Sequence, residues 1–133
     1  MFEINHELIF QLTLRNIFNL SFDPVFRRVL CDRKDFFDKI VKFFKIPRFR
    51  GLVLRILYNI SLEEKAKPLF VDTECLYILY ELLIKFPEPI IGIELAALTL
   101  NLTTYPQNAQ ILATGRYNLI CRRESTRTSK QSF

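Results

Sequence analysis

The sequence predicts an all-α solenoid, and three observations carry that prediction. One short phrase recurs as Asn19-Leu20-Ser21, Asn59-Ile60-Ser61 and Asn101-Leu102-Thr103, spaced 40 and then 42 residues apart. Each copy closes an apolar stretch (LTLRNIFNLS, LVLRILYNIS, LAALTLNLT) and is followed by a polar turn. Glycine is scarce, three in 133 residues, while half the chain is hydrophobic and thirteen residues are Phe. Such a composition favours helix over a turn-rich β fold. Self-similarity near 40 residues is what stacked units produce when each is too small to bury its own apolar face.

Taken from the amino end, Phe10, Leu14, Ile17 and Ser21 fall at i, i+4, i+7 and i+11, one face of a helix. Arg50, Leu54, Leu57 and Ser61 repeat that frame, and Leu20 and Ile60 extend the buried face. After the first phrase, Asp23-Pro24 reads as an N-cap followed by proline at the first helical position. Ser61-x-x-Glu64 and Thr104-x-x-Gln107 fit the capping box after the second and third. Short helices follow, aligned on Val29-Leu30, Leu69-Phe70 and Ile111-Leu112, and Pro68 should shorten or bend the second. Turns at Asp32-Arg33-Lys34, Asp72-Thr73 and Thr114-Gly115 lead to longer amphipathic helices over 36–44 and 75–84, with 117–121 as a shortened third copy. Pro47, and Pro87 with Pro89, then mark corners before the next phrase helix.

Three helices per unit of about 40 residues is the armadillo plan, expected here as a right-handed superhelix of about two and a half repeats. The expected divisions are a last helix over 1–22, repeats over 23–62 and 63–104, the start of a further repeat over 105–124, and a disordered polar tail over 125–133. Because the chain opens and closes inside units, its end helices should expose apolar surface, giving self-association or marginal stability. Phe36-Phe37 and Phe43-Phe44 are read as core.

The net charge of +5 belongs mostly to one segment. Residues 116–133 hold five basic side chains and one acid, whereas 1–115 hold 14 basic and 13 acidic. A basic tail of this kind binds nucleic acid or another anionic surface non-specifically when it binds at all. Cys31, Cys75 and Cys121 are odd in number and widely spaced, so neither a disulfide framework nor a zinc signature is expected. They read as free, largely buried thiols in a reducing cytosol. No secretory leader or membrane-length apolar run is evident. The repeated phrases match the Asn-x-Ser/Thr acceptor pattern, but they end apolar helices and arise from the repeat, so they are not read as sugar sites.

Little in the chain suggests catalysis. His6 is the only histidine, no glycine-rich phosphate loop exists, and Glu63-Glu64 and Asp35/Asp38 lie where carboxylates support helix starts. No cofactor and no metal are expected, and the chain is not read as an enzyme. Binding residues are clearer. Arg15 and Asn19 are four apart on one helix, Arg55 and Asn59 repeat the pair, and Ala97 and Asn101 hold the same positions in the third copy. In armadillo folds this helix lines the concave groove, and its Asn commonly bonds the main chain of an extended peptide. An amide suits that task because it donates and accepts at once. The other reading is that each Asn bonds a neighbouring helix and holds the stack together. Nuclear-import receptors place Trp one turn before the Asn. Here Arg15, Arg55 or Ala97 stands there, a composition suited to an acidic or mixed helical partner.

The strings LTLRNIFNLSFDP, LVLRILYNISLEEKAKPLFVDTECLYIL and LAALTLNLTTYPQNAQIL, with the Asp72-Thr73-x-Cys75 turn, resemble the kinesin-associated proteins. These are the armadillo-repeat, non-motor subunits of heterotrimeric kinesin-II. The similarity runs from about His6 to Asn118, and the sequence from Arg116 departs from the family. The resemblance implies a scaffold that binds kinesin-II motor heavy-chain tails and links them to cargo proteins for microtubule-based transport, including intraflagellar transport. It implies a cytoplasmic, microtubule-associated location in or near a cilium or flagellum, and a chain that is a fragment or truncated form. The groove residues it would use are Arg15, Asn19, Arg55, Asn59 and Asn101. The alternatives are an unrelated armadillo peptide-binding adaptor and, in a different class, a basic-tailed nucleic-acid-binding protein.

Overall fold

A computed structural model describes residues 2–71, 74–85 and 92–114. Among these, the regular structure is helical throughout: α1 (Phe2–Leu20), α2 (Pro24–Cys31), α3 (Lys34–Phe44), α4 (Pro47–Ile60), a 3₁₀ helix (Glu64–Phe70), α5 (Cys75–Lys85), α6 (Ile93–Leu102) and α7 (Pro106–Thr114). Corresponding helices stack on one another. The phrase helices run α1 on α4 and α4 on α6, the short helices α2 on the 3₁₀ helix and the 3₁₀ helix on α7, and α3 lies on α5. This arrangement is compatible with an α-solenoid. The expected segments 117–121 and 125–133, and the corners at 72–73 and 87–89, lie outside the described residues.

Local chemistry accounts for most boundaries. The Asp23 carboxylate accepts from the Val25 amide at 3.0 Å, with Pro24 at the first helical position, as the sequence implied. Pro47 and Pro106 likewise open α4 and α7. Pro68 lacks the amide that would bond the Glu64 carbonyl four residues back, and the segment winds as a 3₁₀ helix instead of an α-helix.

The two capping boxes do not form. The Ser61 hydroxyl turns back and donates to the Tyr58 carbonyl at 2.6 Å, and Glu63, without a side-chain cap bond, precedes the 3₁₀ helix. Thr104 similarly donates to the Asn101 carbonyl at 2.8 Å, and α7 begins two residues later at Pro106. A hydroxyl one or two residues past a helix end meets the carbonyls of the last turn before it can reach the next helix.

The core runs between the units. Phe37, Phe44, Ile56, Leu57, Ile60, Phe70, Leu79 and Leu98 are fully enclosed, and Phe36 and Phe43 pack half-buried against them. Phe37 of α3 meets Phe70 of the 3₁₀ helix edge to face, 5.1 Å between centroids and 89° between planes. Two positions expected on the buried face are corrected: Phe10 is 45% exposed, and Leu20 is 49% exposed although its repeat equivalent Ile60 is fully buried. Ile60 has α1, α2 and α3 packed around its helix, whereas no described helix precedes α1 to cover Leu20.

Cys31 and Cys75 are buried thiols outside any disulfide, and Cys121 lies outside the described residues. Burial pushes the Cys75 thiol far above its usual range; burial first, and then the Glu63 carboxylate, pushes Cys31 up as well. The folded state therefore holds these protons when the unfolded chain has released them. The resulting stabilisation is complete below the unfolded thiol value of 9.0 and is lost as pH rises beyond it. The melting temperature should fall as pH rises beyond 9.0, with a shallower fall in Cys75→Ala. An equally steep fall in that variant would contradict the assignment.

Candidate functional site

A groove of about 360 Å³ lies between α1 and α4, lined by Gln11, Arg15, Phe18 and Asn19 on one side and Arg48, Phe49, Leu52 and Arg55 on the other. The helices stack side by side, so residues at matching repeat positions face each other across the seam. Three of the five residues singled out from the sequence, Arg15, Asn19 and Arg55, meet here. Arg48 joins them from two turns before Arg55 on α4, a spacing legible in the sequence as i, i+7 but hidden by its proximity to Pro47.

The electrostatics are one-sided. Three guanidinium groups line the groove and no carboxylate does. Acids sit at its rim: Glu7 pairs with Arg48 at 3.0 Å and Glu94 with Arg55 at 3.4 Å, all with substantially exposed side chains. The Arg48 guanidinium also lies 5.5 Å from the Phe49 ring centroid, which holds it along the wall. Among the described residues Arg15 has no ion-pair partner. Exposed pairs of this kind are weak, and a carboxylate arriving in the groove competes with them at little cost.

Asn59 and Asn101 are placed differently. Asn59 is buried and its Nδ2 donates to Ser21 Oγ at 2.8 Å; Asn101 Nδ2 donates to Ser61 Oγ at 3.1 Å. Each of those hydroxyls in turn donates to its own helix end, Ser21 to the Phe18 carbonyl and Ser61 to the Tyr58 carbonyl, both at 2.6 Å. The Asn of one phrase is thus tied to the Ser of the phrase before it, and the serine passes the bond to a carbonyl in the last turn of its own helix. Asn19 is exposed and lines the groove.

Sequence reasoning missed a second tie. Arg27 Nε bonds Glu63 at 3.0 Å while its Nη1 donates to the Ser21 and Phe22 carbonyls, the first two of these bonds part-buried. Lys67, buried, bonds Thr104 Oγ1 at 2.7 Å and Glu64 at 2.8 Å. Both cations reach from a short helix to the turn after the next phrase. Their 40-residue separation matches the repeat, which was the available signal.

Among the described residues no group of three or more His, Cys, Asp or Glu is placed to hold a metal ion, and no helix is long and apolar enough to cross a membrane. No solved structure matches the chain. The family model for kinesin-associated protein (KAP) matches residues 1–126. With nearly its whole length inside that match, and with the repeated phrases that carry the likeness stacked on one another, the chain belongs to the kinesin-associated protein family.

Proposed function

We propose that the chain is an armadillo-repeat interaction segment of a kinesin accessory protein, and that the α1–α4 groove takes an acidic segment of a motor heavy-chain tail. The observation that carries this reading is the arginine-lined groove itself: Arg15, Arg48 and Arg55 around an apolar floor of Phe18, Phe49 and Leu52. Guanidinium groups bind carboxylates bidentately, and the floor accepts the apolar side chains between them. The lining offers no imidazole, thiol or carboxylate, so its chemistry is recognition. The order short helix, longer helix, phrase helix supports the armadillo plan, with units over 23–62 and 63–104. In this reading Asn19 contacts the partner, whereas Asn59 and Asn101 hold the units together and shape the groove. Linking the bound motor to cargo in cytoplasmic, microtubule-based transport, in a cilium or flagellum, is the role the family suggests.

Labelled peptides spanning kinesin-II heavy-chain tails test the proposal by fluorescence anisotropy. An acidic peptide is expected to bind, more weakly as salt rises. Arg15→Glu should reduce affinity about tenfold or more, the equivalent of one charge-assisted contact. Removing residues 116–133 should leave affinity unchanged. Binding that ignores Arg15→Glu but disappears with the tail would overturn the groove assignment in favour of a non-specific basic contact.

A further inference from the structure

The groove and its rim carry opposite charges in a fixed order. Arg48 and Arg55 stand on α4 at i and i+7, a separation along the helix of about 10 Å, and Arg15 faces them from α1. Each α4 arginine has a carboxylate brought by a different helix. Glu7 of α1 lies 3.0 Å from Arg48, and Glu94 of α6 lies 3.4 Å from Arg55. The two acids therefore mark opposite ends of the arginine line. Arg15, without an ion-pair partner among the described residues, is the cation left to an incoming group.

The repeat explains why Arg15 and Arg55 differ. Both stand four residues before the Asn of their own phrase. On the phrase helix that follows, the position seven before the Asn faces back toward them. It is Glu94 opposite Arg55, but Leu52 opposite Arg15. One side chain thus closes the α4–α6 seam with a carboxylate and leaves the α1–α4 seam open over an apolar floor. Ala97, where the first seam has Arg55, leaves the second seam without a further guanidinium at that position.

A ligand carboxylate that takes Arg48 or Arg55 releases Glu7 or Glu94. The released acid stays beside the ligand, where it repels further acid and attracts a base. We infer that the groove selects a mixed-charge segment of the partner, a short acidic core flanked on both sides by basic residues, and that Glu7 and Glu94 are the residues that select it. An extended chain rises about 3.3 Å per residue, so two acids about three residues apart reach from Arg48 to Arg55 and the bases fall just outside them. A uniformly acidic segment meets the same arginines but is repelled at both ends. This charge order rests on the groove being the binding site proposed above.

Fluorescence anisotropy at about 0.15 M salt tests it with two labelled peptides. Both carry the same acidic core of two Glu, and they differ only in the flanks, Lys at both ends of one and Glu at both ends of the other. The full chain should bind the Lys-flanked peptide about fivefold more tightly, since exposed ion pairs replace repulsion. Glu7→Gln combined with Glu94→Gln should reverse that preference in favour of the all-Glu peptide. No binding of either peptide, or binding that survives Arg15→Glu, would overturn the groove as the site and this charge order with it. Arg15-dependent binding in which the all-Glu peptide is as tight as the Lys-flanked one would overturn the charge order alone. A double variant that keeps the wild-type preference would overturn the assignment to Glu7 and Glu94.

Discussion

Phe37→Ala is expected to cost about 3–5 kcal/mol of folding stability, a large share of the total. Phe37 is fully buried, and its ring stands edge-on to Phe70 in the following unit, with Phe36 at 6.4 Å. Truncation removes the transfer free energy of the ring, leaves a cavity between α3 and the 3₁₀ helix, and breaks an aromatic pair worth about 0.5–1.5 kcal/mol beyond its area. Domains of this size hold only about 5–15 kcal/mol in total. A solenoid unit relies on its immediate neighbours, so damage at one inter-unit seam is not shared across a common core. Urea denaturation followed by circular dichroism measures the loss. A change below about 1 kcal/mol would mean that the α3 seam is not the centre of packing.

Asn59→Ala should cost about 1–3 kcal/mol, because it removes a buried hydrogen bond and leaves Ser21 Oγ with an unfilled acceptor position. Asn19→Ala should cost close to nothing, since Asn19 is exposed and its side chain is bonded to no other unit. The same substitution in the same phrase thus has opposite consequences, decided by whether a serine of a preceding phrase stands opposite. Peptide binding should show the reverse order, with Asn19→Ala the more damaging for its effect on stability. Equal destabilisation by the two variants, read as thermal midpoints, would contradict this assignment.

The helix order was legible because its determinants are local. Asp23 caps α2 through its own carboxylate, the prolines stand at helix starts, and Phe37 and Phe44 fall on the apolar face of an amphipathic helix. The meeting of Arg15, Asn19 and Arg55 was also legible, since repeat spacing places equivalent residues on facing helices. What escaped depends on partners distant in sequence. Ser61 matches a capping box in every local respect, yet its hydroxyl is held by Tyr58 and approached by Asn101 from 40 residues away. Leu20 has the pattern of a core residue, and its exposure follows from the absence of a covering helix among the described residues. Arg27 and Lys67 carry no local mark of a tie, because their partners Glu63 and Thr104 lie 36 and 37 residues away. The two roles open to the repeated Asn differ only in what lies opposite, which periodicity alone does not specify.

The central claim is that the repeated phrase acts as a tie between units, Asn of one to Ser of the one before. A double-mutant cycle on Ser21→Ala and Asn59→Ala measures that tie most directly, with stability taken from urea denaturation of the two single variants and the double variant. The predicted result is a coupling free energy of about 1 kcal/mol or more, with the double variant less destabilised than the sum of the singles. Additive losses, with coupling indistinguishable from zero, would contradict the claim.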